Sequence, residues 1–290
     1  MEKPLQIKTA RILVTGGSGS LGRNIIKVLL KKGAKSIVSI SRDEQLLREA
    51  EIEVGSPFVT FRLGDIGDTQ LTPRLMKETD IVFHTAALKH VSLAEKNPRE
   101  FNKVNVLSIL NLLDNSEDIS RFIHISSDKA IGVVNCYGAT KLLGEYLVRE
   151  TNNLYKNGNK YIIIRCPNFF ASRGSVIDVW KKQLSLENKI EITDPEMTRY
   201  FVTLNDAANY VVDVGLSKNP NTRSIYYPLK YTQKYKLQDL AEAFIEVFGN
   251  TKTKIRIIGA FPGEKKHEDY IEDVKLTPKS RLKILLKNLQ

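Results

Sequence analysis

The chain is poor in the residues that staple small folds. It has two cysteines, Cys136 and Cys166, and one tryptophan, Trp180. The cysteines have neither disulfide nor metal spacing, so both read as reduced thiols in a cytosolic setting, and no metal is expected. Trp180 reads as packing. No apolar run approaches ~18 residues, so no membrane span or membrane partner is expected. Met1 to Arg11 lacks the apolar core of a signal peptide, and a cytoplasmic location is expected. Repeats, low-complexity tracts and extended linkers are absent.

Acidic residues are also short: 33 against 44 basic ones, a net charge of +11. That balance suits nucleic acid, but the lysines are spread in short pairs such as Lys31-Lys32, Lys181-Lys182 and Lys265-Lys266. No long basic run and no nucleic-acid motif accompany them. The charge is therefore read as a Lys-rich surface with a site for an anionic substrate, and no nucleic-acid partner is expected. With 42% hydrophobic and 27% charged residues over 290 positions, the chain has the composition of a soluble globular protein. There is room for one large α/β domain, or for one plus a small lobe.

What the chain does have is alternation. Arg11 to Thr15 reads as a strand, Gly16 to Gly22 as a turn, and Arg23 to Lys32 as an amphipathic helix. Gly16, Gly19 and Gly22 form Gly-x-x-Gly-x-x-Gly between strand and helix, the arrangement that lets a pyrophosphate approach backbone N–H groups at a helix N-terminus. Lys35 to Ile40 is a second strand. Ser41 and Arg42 stand at its end and Asp43 only follows, so the position that meets the ribose 2′ oxygen favours a 2′-phosphate, and NADP is preferred over NAD. Asp43 to Val54 reads as a helix and Phe58 to Leu63 as a strand. Asp65, before Ile66, is a candidate acceptor for the adenine amino group. Ile81 to His84 is a fourth strand, and Ala86 and Ala87 after it leave room for a cofactor. Lys89 and His90 come next, His90 as a site-wall residue. Pro98 to Ser116 reads as one long helix with Asn105 facing the sheet edge.

Arg121 to Ser126 is a buried strand ending in polar residues, and Asn135 is a candidate cap for the helix that follows. On that helix Tyr137 and Lys141 are four apart and share a face, with Ser127 ten residues before the Tyr. A free Tyr titrates near ~10, and bringing it to roughly 7 takes about 4 kcal/mol, which a nearby Lys and a cationic nicotinamide ring can supply. This is a base for taking a proton from an alcohol whose carbon loses hydride. Asp128 and Lys129 exceed what alcohol oxidation or 4-epimerisation needs. Facing a sugar already oxidised to a ketone, the Lys can take the acidified α-proton and the Asp can protonate the departing hydroxyl.

Tyr161 to Arg165 is a sixth strand, and the pattern to that point marks a doubly wound parallel sheet. Beyond it come a polar turn at Asn168 to Gly174 and a helix at Val176 to Leu186. A strand at Lys189 to Thr193 and a loop at Asp194 to Arg199 follow. Helices are read at Leu204 to Leu216 and Leu237 to Phe248, and a strand at Lys254 to Ile258. Arg173 and Arg199 are loop arginines suited to a diphosphate.

Several stretches together carry a resemblance. They are Thr15 to Gly22, Ser41 to Glu44, Ala86-Ala87-Leu88-Lys89-His90-Val91, Asn97-Pro98, Ser127 to Ala130, Tyr137 to Lys141, Ser172-Arg173-Gly174-Ser175-Val176, Ile192-Thr193-Asp194, Met197-Thr198-Arg199, and Pro262-Gly263-Glu264-Lys265 with His267-Glu268. On these residues the chain resembles the extended short-chain dehydrogenase/reductase superfamily. Within it, the chain is similar to the polysaccharide-biosynthesis dehydratases, specifically the inverting UDP-N-acetylglucosamine 4,6-dehydratases.

The resemblance implies a Rossmann-like fold, with an NADP-binding domain at 1–165, a return to it near 200–218, and a smaller, mainly substrate-binding lobe at 166–290. It implies a tightly bound, recycled NADP held by Gly16, Ser18, Gly19, Ser20, Leu21, Gly22, Ser41, Arg42, Asp43, Asp65, Ile66, Ala86, Ala87, Lys89, Asn105, Tyr137 and Lys141. It implies a nucleotide-sugar substrate held by Lys89, His90, Asn168, Arg173, Val176, Thr193, Arg199 and Glu264. Catalysis would fall to Ser127, Asp128, Lys129, Tyr137 and Lys141, in a homo-oligomer (dimer or hexamer) built through the helices around Tyr137. The chain departs from the family pattern at Ser127 (usually Thr), Cys166-Pro167 (usually Tyr-Gly), Gly132-Val133 (commonly Asn-Pro) and Phe261 (usually Arg).

Overall fold

The computed structural model describes residues 6–155 and 160–289. Six apolar runs become the strands β1 (Ile12–Thr15), β2 (Ile37–Ser41), β3 (Val59–Leu63), β4 (Ile81–His84), β5 (Arg121–Ser127) and β6 (Lys160–Cys166). β1, β4 and β5 are buried along their whole length, as expected of strands covered on both faces. Between the strands run α1 (Ser20–Lys31), α2 (Glu44–Val54), α3 (Leu71–Lys77), α4 (Val91–Lys96), α5 (Pro98–Asn102), α6 (Ser108–Leu113) and α7 (Cys136–Leu154).

After β6 come β7 (Asn168–Phe170), α8 (Val176–Glu187), β8 (Lys189–Ile192), β9 (Thr198–Thr203), α9 (Leu204–Gly215), β10 (Ile225–Tyr226), β11 (Gln233–Lys236), α10 (Leu237–Phe248), β12 (Lys254–Ile257) and α11 (Lys279–Lys287). The main sheet has the order β10-β6-β5-β4-β1-β2-β3, parallel throughout. β1 lies between β2 and β4, so the winding reverses there and opens a crevice at the strands' carboxyl ends.

The chain returns to this sheet after residue 200. α9 packs on the α1 side of the core, where Ala207, Ala208, Val211 and Val212 join Ile25, Ile26 and Leu29. β10 then pairs with the edge of β6. A second core surrounds Trp180, which packs against Phe244 at 5.4 Å between ring centroids and donates Nε1–H to the Glu191 carbonyl. Burying each such aromatic contributes roughly 1.5–3 kcal/mol, so this core stabilises the smaller lobe without needing Trp180 in the site.

Three expected elements differ. The polar turn read at Asn168 to Gly174 begins as β7, held in a ladder by β9. The helix read at Pro98 to Ser116 is interrupted by a π turn at Lys103–Leu107 and ends at Leu113. Asn105 sits inside that turn, and its amide closes three hydrogen bonds that the wider turn permits: to Leu88 O at 2.9 Å, from Leu88 N at 2.8 Å and to Thr140 Oγ1 at 3.1 Å. The loop read at Asp194 to Arg199 is shorter than expected. Thr198 and Arg199 already belong to β9, drawn into a ladder by β7 and β11.

Candidate active site

The nucleotide end is built at the turn between β1 and α1. Gly16 has φ +68°, and a Cβ there would lie 2.8 Å from the Ala86 backbone. A Cβ on Gly22 would lie 2.4 Å from the Gly16 carbonyl oxygen, so only glycine lets the turn close. Gly19 precedes α1 and gives it no side-chain cap. The first amides of a twelve-residue helix are therefore left without a side-chain acceptor, a dipole end suited to a diphosphate.

Ser18 Oγ donates to Ser41 Oγ at 2.6 Å, and Arg42 Nη1 lies 3.4 Å from Asp65 Oδ2. Asp43 is committed elsewhere, its side chain capping α2 through Leu46 N at 2.9 Å. The end of β2 therefore offers hydroxyls and a guanidinium rather than a free carboxylate. This fits the ribose end of a nicotinamide dinucleotide. Asp65 Oδ1 accepts from Gly67 N, which fixes the turn before Ile66.

The reaction end lies where β5 stops. Asn135 caps α7, accepting from Gly138 N at 2.8 Å, as its position in the sequence implies. Ser127 Oγ donates to Asp128 Oδ1 at 2.9 Å, and Lys129 Nζ donates to the same oxygen at 3.0 Å. Lys129 also reaches Asn168 Oδ1 at 3.2 Å and Glu268 Oε1 at 3.5 Å. Burial alone would lower the Lys129 ammonium's pKa. The charges of Asp128 and then Glu268 outweigh burial and raise it, so the resting side chain is a cation.

Tyr137 is buried in the same pocket. Burial raises its phenol, and hydrogen bonding to Ser127 and the Lys129 charge pull the other way. The cation that bears most on the phenol is thus Lys129. Lys141 donates Nζ–H to the Ile125 carbonyl at 2.6 Å, and burial lowers it to about 8 despite the opposing pull of Glu145. The floor is Cys166, opposite Ser127 in the β5–β6 register, with its thiol pushed up to about 12 by burial.

The expected substrate contacts fall into three groups. Asn168 faces the cluster but its amide is engaged, accepting from Lys129 and donating to the Tyr200 carbonyl at 2.8 Å. Arg199 lies beside Glu268, Nε to Oε1 3.7 Å, and donates Nη1–H to Thr198 O and Lys266 O. The 172–174 loop instead lies against the nucleotide turn. Arg173 N donates to Ser20 Oγ at 3.1 Å, and Lys89 Nζ donates to Arg173 O at 2.7 Å. Lys89 is lowered by burial and then by Arg173.

His90 stands against Gly174, whose added Cβ would come within 2.9 Å of its ring. Val176 opens α8. Thr193 Oγ1 contacts Met197 Sδ at 3.1 Å, and Glu264 Oε2 accepts from Phe261 N at 3.3 Å. These last two are turned to local contacts, away from the Lys129 cluster.

Two acids are part of the site's frame although the sequence reading gave neither a site role; Glu268 entered it only as part of the His267-Glu268 match. Glu145, wholly buried, accepts from Ser126 Oγ at 2.5 Å and from Arg165 through Nε at 2.7 Å and Nη2 at 2.6 Å. Its signal was its position four after Lys141 on one helix face. Glu268 arrives from the C-terminal segment, and its signal was adjacency to the Pro-Gly-Glu-Lys stretch. Among the described residues no group of His, Cys, Asp and Glu is arranged to hold a metal ion, and no helix is long and apolar enough to cross a membrane.

A protein family described as polysaccharide biosynthesis protein matches residues 12–287. An uncharacterized membrane protein of Methanocaldococcus jannaschii is 38% identical over 275 residues, 91% of this chain and 81% of that one. A UDP-N-acetylglucosamine 4,6-dehydratase (inverting) of Campylobacter jejuni is 35% identical over 262 residues, 89% of this chain and 76% of that one. A UDP-glucose 4-epimerase of Rickettsia bellii is 32% identical over 276 residues, 90% and 77%. Among solved structures, Pen from Bacillus thuringiensis matches with a TM-score of 0.89 at 27% identity, covering 98% of this chain and 100% of that one. A UDP-glucuronic acid 4-epimerase from Bacillus cereus, solved with UDP-glucuronic acid and NAD, shares the fold at a TM-score of 0.80 and 22% identity, covering 96% and 93%.

Proposed function

The chain belongs to the polysaccharide-biosynthesis family, and from that premise we propose that it is a lyase that dehydrates UDP-N-acetylglucosamine across C5 and C6 and inverts C5. The product is UDP-2-acetamido-2,6-dideoxy-β-L-arabino-hexos-4-ulose. The observation that carries the proposal is the Lys129–Asp128 contact of 3.0 Å, set beside Ser127 and Tyr137. Oxidation or epimerisation at C4 needs no such pair, and β-elimination does.

Tyr137 accepts the 4-hydroxyl proton, and Ser127 polarises the oxygen that becomes the ketone. A bound nicotinamide dinucleotide supplies the hydride acceptor for C4 and the hydride donor for C6. The ketone acidifies C5–H. Transfer of one proton from Lys129 Nζ to Asp128 turns the resting ion pair into a neutral amine and a neutral acid. Lys129 then takes the C5 proton while Asp128 protonates the departing 6-hydroxyl, which leaves as water. Both groups end in their starting states. Reprotonation of C5 from the opposite face by Tyr137, with the proton it took from the 4-hydroxyl, sets the inverted centre and returns the Tyr to its starting state.

The cofactor proposed is NADP, supported by Arg42 beside the Ser18–Ser41 pair and by the capping role of Asp43. The exposed Leu143, Tyr146 and Leu154 on α7 support a homo-oligomer, which light scattering tests by mass. The reaction is tested by incubation with UDP-N-acetylglucosamine in deuterated water, read by mass spectrometry and proton NMR. Loss of one water with deuterium at C5 and L-arabino couplings is expected; unchanged substrate sinks the assignment.

The 32% identity to a UDP-glucose 4-epimerase favours a second reading, 4-epimerisation of a UDP-sugar. Lys129→Ala separates the two, since an epimerase keeps its activity and a dehydratase loses it.

A further inference from the structure

Glu268 is the buried acid in contact with Lys129 that this reaction scheme leaves without a role. It is carried into the site by a C-terminal segment anchored at several points. Asn135 Nδ2 donates to Gly263 O at 2.8 Å, and Lys265 Nζ donates to Ile131 O at 2.9 Å. Thr198 N donates to Lys266 O at 3.1 Å, and Thr198 Oγ1 contacts His267 Nδ1 at 3.0 Å. These contacts fix the Glu268 side chain, 5% exposed, with Oε1 3.5 Å from Lys129 Nζ and 3.7 Å from Arg199 Nε. Its Oε2 is buried without a hydrogen-bond partner.

A carboxylate this deep persists as an anion only where cations compensate it. Asp128, Lys129, Glu268 and Arg199 together are two acids and two bases, and their charges cancel. The elimination changes only two of the four. When the Lys129 proton crosses to Asp128, both become neutral, and Glu268 and Arg199 still balance each other. No buried charge is stranded at any stage.

We infer that Glu268 is a positioning residue of the elimination step, holding the Lys129 ammonium on Asp128 through an oxygen it shares with Arg199. The inference rests on the dehydratase reading above for the name of the step. The contact with Lys129 itself does not depend on that reading. The other groups that face or influence Lys129 come from every side: Asp128 on its own turn, Tyr137 on α7, Asn168 on β7, and Tyr235 on β11. Cys166 on β6 lies close to Asp128. Of these only Asp128 and Glu268 bring a negative charge at neutral pH, so Glu268 supplies one of the two charges that keep the amine protonated.

The test titrates Lys129 by competitive acylation of the holoenzyme across pH, read by peptide mass spectrometry against the exposed lysines of the same chain. Removing one of two carboxylates lowers an amine by about one pH unit, so Glu268→Gln should raise Lys129 labelling at fixed pH about tenfold. Glu268→Asp keeps the charge and should stay within about threefold of the wild type. The basic limb of the pH profile for water loss should move down with the same variant order. Labelling of Lys129 that is unmoved in Glu268→Gln, or moved equally in both variants, overturns the inference. Wild-type protein that dehydrates no nucleotide sugar would instead defeat the reaction assignment, and the labelling series would still decide on Glu268.

Discussion

Asp128→Asn separates the chemistry of this site from its stability. Asp128 Oδ1 accepts from Ser127 at 2.9 Å and from Lys129 at 3.0 Å, while Oδ2 is buried and unpartnered. An Asn side chain keeps the accepting oxygen and places its NH2 where no bond is lost. The Lys129 cation still has Glu268 at 3.5 Å. The fold therefore loses the difference between a charged and a neutral hydrogen bond, about 1–2 kcal/mol. The chemistry loses more. An amide cannot take the Lys129 proton or pass one to a leaving hydroxyl, and loss of such a general acid costs ~10²–10⁴ in rate, about 3–5 kcal/mol. Oxidation at C4 depends on Tyr137 and Ser127 and should survive. The assay is single turnover with UDP-N-acetylglucosamine in deuterated water, following reduced-nicotinamide absorbance, deuterium at C5 and water loss. Expected are a persistent reduced cofactor, no deuterium at C5 and no dehydrated product. Dehydration within tenfold of the wild type would refute the division of labour between Asp128 and Lys129.

Arg42→Ala should weaken NADP binding about tenfold or more while NAD changes less than about threefold, since one charged contact to a phosphate is worth about 1.5–3 kcal/mol. Calorimetric titration of the two cofactors measures this, and equal weakening would remove Arg42 from 2′ recognition. Acid should destabilise the fold through His84 and His124, whose rings stack at 5.4 Å between centroids inside the sheet. Burial, then Lys141, holds His84 down to about 3; burial, Lys141 and His84 hold His124 well below its usual range. Both folded pKa values are depressed, so the unfolded chain binds more protons below ~6.5, and the full stability present above that pH is lost progressively as pH falls toward the folded values. Two such groups cost about 3 kcal/mol between pH 6.5 and 5, and His124→Phe should remove about half of that slope. Chemical denaturation across that range reads it out, and a flat profile would mean that the two rings are not the buried neutral pair described.

The fold was legible where local sequence decides structure. Leu13-Val14 and Ile162-Ile163-Ile164 are apolar without alternation, which is how a strand covered on both faces must read, and both are central strands. Gly16, Gly22 and Asn135 were legible because a turn or a cap is a property of a few neighbouring residues. Legibility failed where the deciding contact comes from far along the chain. Thr198–Thr203 mixes Thr, Arg and aromatics, and it is a strand because β7 and β11 supply its ladder from either side. Lys141 shares a helix face with Tyr137, yet its ammonium goes to the Ile125 carbonyl at the end of β5, a partner that helix periodicity does not reveal. Glu268 is the sharpest case. Its neighbours in sequence, exposed His267 and Asp269, give no sign of burial, and only the docking of Gly263 and Lys265 on the 131–135 loop brings it to Lys129. The sequence motif at Ser127 to Lys141 therefore names the groups proposed to react, while the distant segment that brings Glu268 to Lys129 is found only once the chain has closed on itself. Substitutions between Pro262 and Glu268 should accordingly act on the pH dependence of the reaction more than on cofactor affinity, because that segment contacts the Lys129 cluster and not the glycine turn.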